Sequence, residues 1–237
     1  MFKMTSNFYP ADEPKNGYIG KADLTIAEAI KINGISVFNN NGVIGMRLPE
    51  YERRDNGARE SYVIPKSTEV YAAMLETIKM AVNDDKYHFG HMNGKYNPYI
   101  SVSGKKVDEP YADGRFSIEI EDTCTLYGIT TRIRNKDKKP FVAVDMPVIS
   151  KYTNRDNEVV YNKAFEGLTY KHTKDGKEEY KHFDVLINNL VRAEREKAHG
   201  KGKASIDDKL KDASKEAEKR NSSRNIVQQK DNVELVH

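Results

Sequence analysis

Apolar and polar residues alternate through the first fifty positions. Ala22, Leu24 and Ile26 alternate with Asp23 and Thr25, and Ile35 and Val37 flank Ser36. A period of two sends one set to a buried face and the other to solvent. The pattern predicts strands over 18–29 and 30–38, after a first strand near 2–8 and a turn over 12–17. Asn39-Asn40-Asn41-Gly42 predicts a tight hairpin, since Asn and Gly tolerate the positive φ such turns require. Val43–Leu48 is a further strand, stopped by Pro49, which has no N–H to give a ladder. A charged loop and an edge strand over 61–64 follow. Ser67 or Thr68 is then a sound N-cap, and the period changes to that of a helix. Tyr71, Met74, Leu75, Ile78 and Val82 share its face, and Asn83-Asp84-Asp85 ends it.

The second half of the chain repeats this order. Val43-Ile44-Gly45-Met46-Arg47-Leu48-Pro49 returns as Phe141-Val142-Ala143-Val144-Asp145-Met146-Pro147, an offset of 98 residues. Residues 22–26 and 35–38 return 94 positions later as 116–120 and 129–132. One duplicated module with a longer hairpin loop in its second copy accounts for both offsets. In that copy the pattern predicts strands over 99–102, 115–126, 128–133 and 141–146, a turn at Asp113-Gly114, and a polar loop with an edge strand over 148–163. An inserted hairpin, 168–172 with 177–182, turns at Asp175-Gly176. The closing helix carries Phe183, Leu186, Ile187 and Leu190 on one face. The expected organisation is a module over 1–85, an aromatic and His-containing linker over 86–98, a second module over 99–199, and a charged tail over 200–237 expected to be disordered or loosely helical.

Composition narrows the functional classes. The net charge is +3, and residues 191–237, with 12 Lys or Arg against 9 Asp or Glu, account for all of it; residues 1–190 hold 27 of each sign. Nucleic-acid contact in the folded part must therefore come from local patches. No apolar run is long enough for a membrane helix, and Met1–Asn7 lacks a secretory core, so no membrane partner and a cytoplasmic location are expected. The single cysteine, Cys124, between Thr123 and Thr125, is expected as a buried strand thiol. His88 and His91 are two ligands, too few for zinc, so neither a metal nor any other cofactor is expected. The chain has no phosphate-binding loop, no Gly-x-Ser-x-Gly and no dinucleotide fingerprint, and Glu119, Glu121 and Asp122 have nothing nearby to activate; no enzyme and no catalytic residue are expected.

The Pro-ended segments Val43–Pro49 and Phe141–Pro147, the Asn39–Gly42 hairpin and the Ile64-Pro65-Lys66-Ser67 entry into a helix resemble the stage V sporulation protein G family (SpoVG, septation regulators). The resemblance covers roughly residues 1–83 and 99–195. It departs in the segment after the proline, which reads Glu50-Tyr51-Glu52 in one copy and Val148-Ile149-Ser150-Lys151 in the other, where the family has Ser-Lys-Arg. The resemblance implies an α+β fold of two tandem modules, each an antiparallel sheet with a C-terminal helix, paired within the chain as a pseudodimer. It further implies DNA or RNA binding, with further homodimerisation as an option.

The residues expected to meet nucleic acid are Arg53, Arg54, Arg59 and Lys66 in the first copy and Lys151, Arg155 and Lys163 in the second. Fixed positive charge on a loop suits phosphate, and Arg bonds it bidentately. The bland alternative is a solvated loop in which the arginines pair with Glu50, Glu52, Asp55 and Glu60. The rival function is a protein-binding regulator or inhibitor, such as a phage or mobile-element factor acting on a host protein, which a net-neutral folded part would suit.

Overall fold

The computed structural model describes residues 2–52, 56–83, 98–136, 139–174 and 177–200. The chain divides into two units, 1–195 and 196–237. Of the expected linker over 86–98 only Pro98 is described; the rest of it and the tail beyond Gly200 lie outside the described residues. Among the described residues the architecture is mixed α/β, mostly antiparallel, with two helices. Among the described residues no helix is long and apolar enough to cross a membrane.

The first half opens as an antiparallel meander of β1 (Met4–Lys15), β2 (Tyr18–Ile26), β3 (Ile30–Asn40) and β4 (Val43–Arg47). β1 is longer than the apolar pattern indicates. It runs to Lys15, and the turn narrows from 12–17 to Asn16-Gly17. Pro10 and Pro14 fit because β1 is an edge strand, where a missing N–H costs no ladder bond. The Asn39–Gly42 hairpin turns at Asn41 and Gly42, both at positive φ.

After Pro49 come β5 (Glu50–Glu52), β6 (Arg59–Ser61), β7 (Val63–Pro65) and α1 (Thr68–Val82). Ser67 caps α1, its hydroxyl accepting the Val70 N–H at 3.3 Å. The buried face is Val70, Ala73, Met74, Thr77, Ile78 and Ala81. It is rotated from the expected one because two alanines allow close packing, while Tyr71 stays exposed and donates its hydroxyl to the Met46 carbonyl.

The second half continues with β8 (Ile100–Glu109), β9 (Ala112–Ile120), β10 (Cys124–Lys136), β11 (Lys139–Asp145), β12 (Val148–Thr153), β13 (Val159–Lys163), β14 (Phe165–Gly167), β15 (Thr169–Lys174), β16 (Lys177–His182) and α2 (Phe183–Ala198). The expected turn at Asp113-Gly114 is strand instead; the chain turns at Pro110-Tyr111. Asp113 is held in the sheet by the Thr131 hydroxyl at 2.6 Å and by buried Arg195 at 2.5 and 3.0 Å. Gly114 lies under the Phe116 ring. The expected single strand over 115–126 breaks at Glu121-Asp122-Thr123, matching the turn at 27–29 in the first half. The expected polar loop and edge strand over 148–163 form the hairpin β12–β13, and α2 buries Phe183, Ile187, Val191 and Arg195 while Leu186 is exposed.

The expected edge strand over 61–64 divides in two. β6 pairs with β5, whereas β7 crosses to the other half and pairs with β10, Val63 opposite Leu126 and Pro65 opposite Cys124. β14 makes the reciprocal crossing and pairs with β3, Phe165 opposite Ile32 and Gly167 opposite Ile30. The flanking backbone bonds recur at matching positions. Tyr62 N–H donates to Pro49 and Ala164 N–H to Pro147, at 2.9 and 2.7 Å; Tyr127 N–H donates to Tyr62 and Asn33 N–H to Ala164, both at 2.8 Å. Each crossing satisfies strand groups that an edge would leave open. The buried apolar side chains of both halves accordingly form one core.

Candidate nucleic-acid interface

The segments after the two prolines are placed by glycines at matching positions of β3 and β10. Gly34 has φ +71, and a Cβ there would stand 2.3 Å from Ile149 Cδ1. Gly128 has φ +90, and a Cβ there would meet Tyr62 Cε1 at 2.8 Å and Pro147 Cβ at 3.2 Å. Both positions need the left-handed backbone and the missing side chain. They bring Ile149 onto the first sheet and Tyr62 onto the second.

Two hollows open around this junction. The first, about 390 Å³, is lined by Lys21, Arg47 and Arg59, with Glu50, Glu52 and Ile149. The second, about 530 Å³, is lined by Tyr51, Tyr62, Tyr127 and Phe116, with Lys105 and Arg115. Tyr51 lines both. It stands on β5 with its ring 4.8 Å from that of Tyr62, and its hydroxyl donates to Glu60. Burial raises the Tyr62 phenol above its ordinary value, so it remains a neutral hydrogen-bonding ring at neutral pH.

The cations differ in how they are engaged. Arg115 bonds Glu109 through Nε and Nη2 at 2.8 and 2.7 Å; this bond raises the guanidinium and lowers the carboxyl. Arg47 lies over the Phe38 ring, 5.3 Å from its centroid. Among the described residues, Lys21, Arg47, Arg59 and Lys105 form no ion pair. Lys21 and Arg115 occupy matching positions of β2 and β9.

Of the residues expected from the sequence, Arg59 lines the first hollow, and Arg53 and Arg54 lie outside the described residues. Lys66 bonds Glu119 at 2.7 Å, which holds its ammonium above the ordinary value. Lys151 is exposed on β12 and Arg155 in the β12–β13 turn. Lys163 is elsewhere, in a third hollow of about 630 Å³ with Arg132 and Arg134. Those two arginines converge on a single carboxylate, Asp145. The structure thus brings Arg59 near Ser150 but does not bring Arg59 and Lys163 together.

Sequence reasoning missed Lys21, Arg47, Lys105, Tyr62 and Tyr127. The available signal was phase: Lys21 is an outward position between Gly20 and Ala22, and Arg115 is its counterpart 94 residues later. Among the described residues, no three His, Cys, Asp or Glu side chains gather to hold a metal. No family model, no curated protein and no solved structure matches the chain.

Proposed function

We propose that the chain is a nucleic-acid-binding regulatory protein, acting in the cytoplasm, built from two SpoVG-like modules that pair as the subunits of a dimer would. The reciprocal crossing of β7 and β14, with its matched backbone bonds, supports the pairing. The observation that carries the function is the group of unpaired cations, Lys21, Arg47, Arg59 and Lys105, around two hollows that meet at Tyr51. Guanidinium and ammonium groups without carboxylate partners release counterions when they meet phosphate. Lys151 and Arg155 are exposed on the hairpin whose Ile149 and Ser150 line the first hollow.

With about three to six phosphate contacts, log affinity falls against log salt with a slope of about −3 to −5. Fluorescence anisotropy with labelled single- and double-stranded DNA and RNA measures it. The Arg59→Glu variant weakens binding to every sequence and lowers the slope by about 1 or more. A flat salt response, or no binding at low salt, would sink the proposal. A protein-binding regulator is the second reading. It is favoured by the carboxylates that already occupy Arg115, Arg132, Arg134 and Lys66. A partner protein that stays bound after nuclease treatment, together with absent nucleic-acid binding, would select it.

A further inference from the structure

We infer that the hollow between Tyr51, Tyr62 and Tyr127 receives an unstacked base, so that the nucleic acid this surface takes is single-stranded. The inference rests on the nucleic-acid reading above and specifies its substrate. At about 530 Å³ the hollow, open to solvent, has room for a small organic group. Its walls are the three tyrosine rings, Phe116 and Pro147, while Gly104 and Gly128 contribute no side chain. A base offers two apolar π-faces and a polar edge. Tyrosine rings match the faces.

Charge is arranged for the backbone of such a strand. Lys105, without an ion pair, stands at this hollow, where a phosphate flanking an inserted base would lie, beside Arg115, which Glu109 holds. Tyr51 is the shared wall to the first hollow, with Lys21, Arg47 and Arg59. A strand that leaves the aromatic hollow over Tyr51 thus meets a second group of cations. A duplex cannot use the aromatic walls, because its bases already stack on one another; it would meet only the cations. Among the described residues, the first and third hollows lack this composition. The first has one ring and two glutamates, and the third has two tyrosines, Tyr111 and Tyr161, with both of its arginines drawn to Asp145, whereas the second gathers four aromatic rings beside Lys105.

The test uses the full chain and oligonucleotides of equal length in single-stranded, duplex and abasic single-stranded form. Anisotropy at low salt is expected to show the single strand bound at least about tenfold more tightly than the duplex. Tyr127→Ala is expected to lose about tenfold on the single strand and nothing on the duplex or abasic strand, while Tyr127→Phe keeps the affinity. Irradiation of the unaltered chain with a single strand containing 5-iodouracil is expected to cross-link it to Tyr51, Tyr62 or Tyr127, read by mass spectrometry; this arm does not depend on how the variants fold. Equal affinity for strand and duplex with cross-links elsewhere overturns the inference and leaves nucleic-acid binding standing. Absence of binding to all three oligonucleotides overturns the nucleic-acid reading itself, and this inference with it.

Discussion

At the scale of single residues, two positions show how local chemistry constrains the chain. Cys124 is fully buried at the start of β10, and burial pushes its thiol up from 9.0 to about 12. Thiolate is the reactive form, so a raised pKa and lack of access both make it inert. Alkylation of the native protein by iodoacetamide is expected to be slow and to become fast on unfolding in urea. The sign of the pH effect follows from linkage. The unfolded thiol loses its proton near pH 9 and the folded one only near 12, so its contribution to stability is complete below about pH 9 and is lost as pH rises toward 12. Urea titrations at a series of alkaline pH values should give Cys124→Ala a shallower decline than the parent. The second position is Gly104. In the first half Phe8 on β1 faces Ala22 on β2; in the second, Gly104 on β8 faces Phe116 on β9. The large and small partners have changed strands. A Cβ on Gly104 would lie 2.1 Å from Phe116 Cδ1 and 2.5 Å from the Arg115 carbonyl oxygen. Phe116→Ala should cost about 3–5 kcal/mol, and Gly104→Ala should destabilise as well. The double variant should cost less than the sum, because removing the ring relieves one of the two clashes. Strict additivity in urea unfolding would contradict this packing.

At the scale of elements, the helices depend on one residue each at a critical end. Loss of the cap in Ser67→Ala should cost about 1 kcal/mol, read from the shift in the urea midpoint. α2 is tied to β9 by buried Arg195, whose guanidinium bonds Asp113 while Asp113 also accepts from Thr131. Arg195→Ala takes that guanidinium away from Asp113 and should cost about 3 kcal/mol. Arg195→Lys should recover only part, because an ammonium cannot supply two parallel donors. This pair also shows where sequence reading reached its limit. Alternation identified most of the strands, and Asn41-Gly42, Pro49 and Ser67 marked turn, stop and cap through chemistry local to each residue. Asp113-Gly114 carries the same turn chemistry, yet it lies in a strand, because Arg195 and Phe116 claim those two residues from a distance. β7 read as an edge strand for a similar reason: pairing with β10 depends on a partner about sixty residues away, which local pattern does not encode. Arg59 was legible as a loop cation. The tyrosine walls of the second hollow were not, since Tyr51, Tyr62 and Tyr127 meet only through the crossing of the halves.

At the scale of the whole molecule, that crossing determines whether either half can stand alone. β3 has β2 on one side; on the other, β4 pairs with residues 36–40 and β14 with residues 30–32. β10 is built the same way, with β11 over 130–136 and β7 over 124–126. A fragment 1–97 lacks β14 and so loses Phe165, one of the largest fully buried side chains, from beside Ile32. A fragment 98–237 lacks β7 and loses Val63 from beside Leu126. Each would expose apolar surface that the intact chain shares in one core, as well as a stretch of unpaired strand. Expressed separately, neither fragment should show a cooperative urea transition by circular dichroism. Mixed in equal amounts, they should regain one, with a midpoint that rises with concentration because folding is then coupled to association. Two fragments that each unfold cooperatively, near the midpoint of the intact chain, would mean that the crossing strands are ornaments on two self-sufficient domains. Recovery on mixing would instead show that the junction is the centre of the core. The aromatic hollow, built from Tyr51 and Tyr62 of one half and Tyr127 and Lys105 of the other, would then exist only in the assembled molecule. Binding of a single strand by the mixture, and by neither fragment alone, is the outcome expected of a site that needs both halves.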